Sequence, residues 1–242
     1  MYDLKIITIF LYTSNSTVLP LPVDIGGKII CTTGFAVKGK ILGDSDGLLI
    51  AGHCTTNNTI GDPVHILNSD GARVGEIIST TYGDGVDYGL IKLAYGWKGS
   101  PSVIGPGKEG SVSLPILSAI SLSLDSPLCL TGATSNIVCG KLVDTDQSLI
   151  VYNKWDPANY LYLEGLNIID TGANRVHFGD SGAAVYFKEQ TYIGHTLVEY
   201  ASAVGIFVAF NNEDLNHIEA YYYSIAEILN YLGLELITQH IK

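Results

Sequence analysis

The sequence predicts an all-β protein made of two successive β units, with one short helix near its C-terminal end. Short segments rich in Val, Ile, Thr and Tyr recur along the chain, and clusters of turn-forming residues separate them. Glycine is abundant, with 27 residues, and several glycines occur in Asp-Gly pairs that favour tight turns. Both features are typical of antiparallel strands joined by short connections. The predicted strands include 28–37, 48–51, 75–81, 88–93 and 149–152.

The division into two units rests on a change in composition between Trp97 and Leu114. Gly-Ser-Pro and Gly-Pro-Gly follow each other closely there, as in a connection between folded units. We therefore predict a first β unit over 23–98, a connection over 99–114 and a second β unit over 115–242.

The helix is predicted from apolar residues that recur at helical spacing near the C-terminus. These residues are Ile225, Ile228, Leu229 and Leu232. One face of a short helix would then be apolar, and we expect that face to pack on the second β unit.

Composition excludes several classes of protein. A hydrophobic fraction of 47% with only 15% charged residues excludes a disordered chain. Thirteen basic and 24 acidic residues give a net charge of −11, and without a Lys/Arg cluster a nucleic-acid partner is not expected. No apolar run is long enough to span a bilayer, so no membrane span is expected.

The N-terminal residues 1–22 are predicted to be an extension, with two interpretations left open. The apolar segment 6–12 follows Lys5 and could be the remnant of a signal or pro-segment. Asp3 and the lack of an Ala-x-Ala cleavage site favour an ordinary edge strand instead.

Three short segments, in the order His, Asp, Ser, contain the residue types that acyl transfer requires. This chemistry needs a nucleophile, a base that takes its proton, and a buried carboxylate that orients the base. His53 follows an apolar strand and two small residues, although a lone histidine in such a place is more often structural. Ser181 lies in Gly179-Asp180-Ser181-Gly182, where glycines allow a sharp turn whose amides can face a substrate oxygen.

The carboxylate has two candidates in the sequence. Asp87 opens the apolar strand 88–93, which would carry its side chain into a buried position. Asp84 lies between two glycines, and these flexible surroundings make it the poorer choice.

The segments Ala51–Cys54, Asp87–Ile91 and Gly179–Gly182 resemble those of chymotrypsin-fold serine proteases. Within that family they are most similar to the short bacterial branch that includes streptogrisins and alpha-lytic protease. The resemblance extends from about Ile25 to about Leu236. It implies two six-stranded antiparallel β-barrels of trypsin-like type, with the site at their interface.

The resemblance also implies the function and the role of each site residue. Ser181 would be the nucleophile, His53 the general base and then acid, and Asp87 the residue that orients His53. The N–H groups of Gly179 and Ser181 would form the oxyanion hole. The chain is thus expected to be a serine endopeptidase that needs no cofactor or metal, acts on polypeptides and is a monomer. Its activity should fall as the pH drops through the imidazole pKa, about 6.5 for an unperturbed histidine.

Four cysteines permit three pairings, of which the local one is physically simplest. Cys31 with Cys54, and Cys129 with Cys139, each bracket a turn or loop, and the family has disulfides in these two segments. Free buried cysteines are the alternative, and a zinc site is disfavoured because no Cys-x-x-Cys spacing occurs. Disulfides imply an oxidising compartment, so the protein is expected to be secreted or surface-exposed.

The chain departs from its bacterial relatives beside the nucleophile. The relatives have an Arg after the first Cys of the second loop, and it pairs with the Asp before the nucleophile; here that position is Leu130. Asp180 must therefore be satisfied by Arg175, by backbone amides or by water. The family's third, pocket-side disulfide is also absent.

The specificity of the site is predicted from the positions of two basic residues. Arg175 lies where the family's substrate pocket begins, and His195 lies near a strand that could flank it, so both are candidate substrate-binding residues. Two basic groups would favour an acidic side chain at the cleaved residue. A surface Arg175 paired with Asp180 or Asp170 is the alternative. Two other functions stay open for the whole chain: a catalytically silent binding module of this fold, and an esterase.

Overall fold

The computed structural model describes residues 21–25, 29–56, 58–67, 71–83, 85–153 and 156–239. The N-terminal segment for which a signal remnant or an edge strand was expected lies almost entirely outside the described residues. Asp84, the alternative carboxylate, also lies outside them.

The described strands form two sheets, and their bounds follow the chain. The first sheet contains β1 (Pro22–Ile25), β2 (Ile29–Thr32), β3 (Ala36–Gly39), β4 (Gly47–Ile50), β5 (Pro63–Ile66), β6 (Arg73–Gly83), β7 (Val86–Leu93) and β16 (Leu234–Leu236). The second contains β8 (Ser102–Gly107), β9 (Gly110–Ala119), β10 (Pro127–Gly132), β11 (Asn136–Asn153), β12 (Asp156–Asp170), β13 (Ala184–Ile193), β14 (Thr196–Asn211) and β15 (Glu219–Ser224).

The first sheet curves into a barrel because β2, at one end, continues along the chain into β3, the neighbour of the strand at the other end. The strand order is β16-β3-β4-β7-β6-β5-β1-β2. β2 continues through residues 33–35 into β3, and the Gly34 amide donates to the Leu49 carbonyl at 2.7 Å. The β2 end of the sheet is thereby joined through the chain to β3, next to the opposite edge, and the sheet curls into a barrel. With β2 and β3 taken as one strand, six strands form the barrel, and β16 is added from the C-terminal end.

The second sheet closes through the additional pairing of β13 with β14. Strands β10 to β15 then form a ring of six antiparallel strands. The hairpin of β8 and β9 joins this ring by a parallel pairing of β9 with β14. The all-β, two-barrel fold predicted from the sequence is confirmed. The segment predicted as a connection, 99–114, contains β8 and the start of β9, because its glycines and prolines occupy a hairpin that pairs with the second barrel.

The helix α1 (Ile225–Leu232) lies where the apolar spacing predicted one. Ile225 and Ile228 are buried, and Gly233 ends the helix in a left-handed conformation at φ 63°. The described residues include no helix that is long and apolar enough to cross a membrane.

A continuous apolar core extends from one barrel into the other. Its fully buried members include Phe35 and Leu48 of the first barrel and Tyr186 and Ile206 of the second. A smaller apolar cluster lies within the second barrel, around Leu130. The residues around Ser181 are thus held between two packed surfaces.

Candidate active site

The carboxylate of Asp87 holds His53 by two hydrogen bonds. His53 Nδ1 lies 2.7 Å from Asp87 Oδ2, and the His53 backbone amide donates to Asp87 Oδ1 at 2.7 Å. The Asp87 side chain is 2% exposed and that of His53 is 29% exposed. Because a carboxylate only accepts, the ring proton lies on Nδ1 and leaves Nε2 as an acceptor.

Local sequence explains why these two residues meet. His53 lies in a short 3-10 helix, Gly52–Cys54, that follows β4, and Asp87 lies at the start of β7, which pairs with β4. A side chain at position 52 would overlap the Thr81 carbonyl oxygen, so only glycine allows the turn to approach β6. The Thr55 hydroxyl closes the turn by donating to the Gly52 carbonyl at 2.8 Å.

Two residues near this pair were missed by the sequence reasoning. The Tyr82 ring lies 6.0 Å from the His53 ring, centroid to centroid, and burial together with the charge of Asp87 raises the Tyr82 pKa. Tyr223 of the second barrel donates its hydroxyl to the Gly85 carbonyl at 2.8 Å, two residues before Asp87. A period-2 strand pattern places both residues on β-strands but does not indicate which distant loop they touch.

The turn that carries Ser181 is fixed on both sides by backbone hydrogen bonds. The Gly182 amide donates to the Phe207 carbonyl at 2.7 Å, and the Ser181 carbonyl accepts from the Thr32 amide at 2.8 Å. Gly182 adopts φ 92°, and a side chain there would overlap the Thr32 carbonyl. Cys54 Sγ lies 3.8 Å from the Ser181 carbonyl oxygen, so the turn lies against the His53 segment.

The reactive groups of this turn have no partner among the hydrogen bonds of the described residues. This holds for the Ser181 hydroxyl and for the amides of Gly179 and Ser181, and a bond from the hydroxyl to His53 is likewise not formed there. Gly179 adopts φ 101°, and its carbonyl accepts from the Thr32 hydroxyl at 2.7 Å. Stabilisation of an oxyanion requires backbone donors without other partners, and this turn has two of them beside the Ser181 hydroxyl.

The Asp180 carboxylate is satisfied although position 130 is a leucine and not the arginine of the bacterial relatives. Asp180 is fully buried, and its Oδ1 accepts from the amides of Thr134 and Ser135 at 2.9 and 3.0 Å. Its Oδ2 accepts from the His177 amide at 3.0 Å and from the Ser135 hydroxyl. Of the alternatives Arg175, backbone amides and water, it is backbone amides that satisfy the Asp180 carboxylate, together with the Ser135 hydroxyl. An arginine is therefore not needed at position 130.

The structure does not bring Arg175 and His195 together. Arg175 is exposed on the loop that leads to Gly179, and it forms no ion pair with Asp180 or Asp170 among the described residues. His195 lies in the exposed turn between β13 and β14. That turn is nine residues along β13 from Ala184, or about 30 Å from the Ser181 end of the strand at the usual rise per residue. The geometry gives His195 no access to a pocket beside Ser181, because β13 and β14 form one long hairpin.

Both predicted disulfides are present, Cys31–Cys54 and Cys129–Cys139. Cys31, His53 and Cys54 have possible ligand atoms within 4.8 Å of one another. The two sulfurs are bonded to each other, however, and offer no thiolate, so this group does not fit a metal ion.

Comparisons with known proteins agree with this architecture. No family model matches the chain. The chain is 27% identical over 229 residues to "Serine protease 1" of Rarobacter faecitabidus, covering 93% of this chain but 37% of that protein. It is similar to the structure of Thermobifida fusca Protease A, with a TM-score of 0.68 at 20% identity over 93% of this chain and 100% of that one.

A third similarity is to a structure described as a glutamic acid specific serine protease that uses a histidine triad in substrate binding. Its TM-score is 0.66 at 20% identity, and the match covers 89% of this chain and 97% of that one. With two closed antiparallel barrels and these similarities, the chain has the chymotrypsin-like fold of the bacterial serine proteases.

Proposed function

We propose that the chain is a serine endopeptidase that hydrolyses peptide bonds through an acyl-enzyme on Ser181. The observation that carries the proposal is the buried Asp87 carboxylate, bound twice to His53, next to the turn that presents Ser181. The similarity to a curated serine protease supports it, although the chain spans 37% of that protein's length.

The geometry supports a two-step reaction. His53 Nε2 takes the proton of the Ser181 hydroxyl as its oxygen attacks the carbonyl carbon of the substrate. The amides of Gly179 and Ser181 stabilise the negative oxygen, and Asp87 stabilises the imidazolium. The C–N bond then breaks as His53 returns the proton to the leaving amine. Water attacks the acyl-enzyme by the same route and releases Ser181.

The contacts of Asp180 support an ordered oxyanion loop. Asp180 lies between Gly179 and Ser181 in sequence and is tied to three backbone amides. The carboxylate is thus compensated without the arginine of the bacterial relatives, which supports a functional site over a catalytically silent module.

The expected setting follows from the same features. Two disulfides support a secreted or surface-exposed protein, because disulfides persist in oxidising compartments. The substrate would be a polypeptide that reaches the cleft between the barrels. The expectation of a monomer stays a prediction.

A fluorophosphonate probe tests the proposal directly, because it modifies only a serine activated by its base. We expect labelling at Ser181, located by peptide mass spectrometry, and loss of labelling in Ser181→Ala and His53→Ala. Absence of labelling in the folded wild-type protein would favour the silent module. Labelling without cleavage of any member of a peptide library would favour an esterase.

A further inference from the structure

The strand β14 runs directly past Ser181 and continues beyond it. Phe207 exchanges backbone hydrogen bonds with the nucleophile turn: its carbonyl accepts from Gly182 at 2.7 Å and its amide donates to Ala183 at 3.0 Å. The segment that follows reaches Phe210, whose ring meets the ring of Phe178 edge to face, with centroids 5.3 Å apart. Phe178 directly precedes Gly179, so the two rings lie beside the proposed oxyanion hole.

This side of Ser181 is the side on which the acyl part of a substrate must lie. His53 has to protonate the leaving nitrogen, so the leaving group lies toward His53 and Cys54. The scissile carbonyl oxygen faces the amides of Gly179 and Ser181. The side chain on the acyl side of the scissile bond therefore points away from His53, toward Phe178 and β14.

The Phe210 ring packs against buried apolar side chains of the second barrel. Val176, Phe207 and Tyr222 are 3%, 1% and 3% exposed, and Ala220 is fully buried. All four belong to the smaller apolar cluster of the second barrel, and Phe210 packs against it. No room is left there for a large substrate side chain without rearrangement, because protein interiors are close-packed.

Among the described residues, the side chains that fill this space offer no partner for a charged group of the substrate. The filling residues are apolar, Asp180 is already satisfied by four donors, and His195 lies at the distant hairpin tip. A carboxylate or ammonium group placed against them would lose its hydration without compensation. Phe178 itself is 88% exposed, and an exposed aromatic ring beside a reactive turn is suited to contact a small apolar group.

Resting on the proposed function, we propose that the Phe178–Phe210 pair closes the acyl-side recess and restricts cleavage to bonds that follow small apolar residues. Phe178 forms the outer surface that such a residue contacts, and Phe210 occupies the volume that a larger side chain would need. These two residues are then specificity determinants of the site.

The test uses peptide substrates that differ only in the residue before the cleaved bond, with Ala, Val, Leu, Phe, Glu or Lys there. The wild-type protein should show kcat/KM for Ala or Val at least about tenfold above that for Phe, Glu or Lys. Phe210→Ala should open the recess and raise the Phe-to-Ala ratio of kcat/KM by about tenfold or more. Phe210→Leu keeps most of the bulk and serves if the alanine variant does not fold.

Tyr192→Ala is the matched control, since Tyr192 is a 71% exposed aromatic residue near the far hairpin tip, and it should leave the ratio unchanged. A wild-type preference for Leu or Phe overturns the proposal, as does a preference for Glu that is lost in Arg175→Ala. The proposal is also overturned if Phe210→Leu labels at Ser181 like the wild type and Phe210→Ala leaves the Phe-to-Ala ratio of kcat/KM unchanged. Failure of the fluorophosphonate to label the wild-type protein is different, because it overturns the proposed function and this inference together.

Discussion

His53 and Asp87 are joined by two hydrogen bonds of equal length, one from the backbone amide and one from ring Nδ1, each 2.7 Å. The first fixes where the histidine residue lies, and the second fixes the tautomer of its ring. One buried carboxylate thereby sets both the position and the protonation pattern of the proposed base.

Replacing Asp87 tests this relationship. In Asp87→Asn the amide group can donate to Nδ1, which favours the wrong tautomer, and we expect kcat to fall by about 10⁴-fold. Steady-state kinetics on a cleaved peptide measures the effect. Asp84→Asn, which changes the other candidate carboxylate, should retain activity. A large loss in Asp84→Asn with little loss in Asp87→Asn would contradict the assignment.

Removing the Asp180 carboxylate should destabilise the protein, because three amides and one hydroxyl lose their acceptor. We expect Asp180→Ala to lower the free energy of unfolding by about 3 kcal/mol, with a smaller loss in Asp180→Asn, which keeps one oxygen. Denaturant-induced unfolding followed by fluorescence measures both. Equal stability of the alanine variant and the wild type would show that water replaces the carboxylate at no cost.

The two disulfides should differ in their effect on activity. Replacing either cysteine pair by serines should lower the free energy of unfolding by about 3 kcal/mol on the chain-entropy estimate. Only the Cys31–Cys54 pair adjoins His53 and lies against the Ser181 carbonyl, so only its loss should also lower kcat under conditions where the protein stays folded. The Cys129–Cys139 variant is the control. Equal kcat in the two variants would argue against a role of the first disulfide in the site.

Asp170 and His217 should titrate as a pair on the surface of the second barrel. Donation from the Gly172 amide, and then the bond to His217, lowers the Asp170 pKa, while the bond to Asp170 and its charge raise the His217 pKa. The contribution of Asp170 to stability is lost as the pH falls through its lowered pKa, and that of His217 as the pH rises through its raised pKa. The Asp170–His217 pair therefore stabilises the folded protein at pH values between the lowered Asp170 pKa and the raised His217 pKa.

NMR titration of the imidazole signals measures this pair. In Asp170→Asn we expect the His217 pKa to move down toward its ordinary value of 6.5, while the other imidazole titrations stay unchanged. A His217 titration that is identical in the variant and the wild type would show that the two groups do not interact in solution.

Elements with strong local signals were predictable from the sequence. The helix followed from four apolar residues at helical spacing, and the Ser181 turn from two glycines that adopt φ 101° and 92°. The strand β14 shows where local signals end. The apolar segments 196–200 and 205–210 both belong to the single strand Thr196–Asn211, and the residues between them give no local sign of this continuity. The hairpin is consequently long, and His195 at its tip lies far from Ser181.

The sequence by itself indicated two β units and a C-terminal helix, and it identified His53, Asp87 and Ser181 as candidates, because these depend on residue type and short-range pattern. The two-barrel arrangement came from the resemblance to known proteases, and the local cysteine pairing was one of three possible pairings. Only the tertiary structure decided what satisfies Asp180 and what fills the space beside Ser181. The amides of Thr134 and Ser135 reach Asp180 across 46 and 45 positions of the chain. Phe178, in the loop before Ser181, meets Phe210 of β14 across 32 positions of the chain. Such contacts arise from the packing of distant segments, and no periodicity in the sequence encodes which residues will touch.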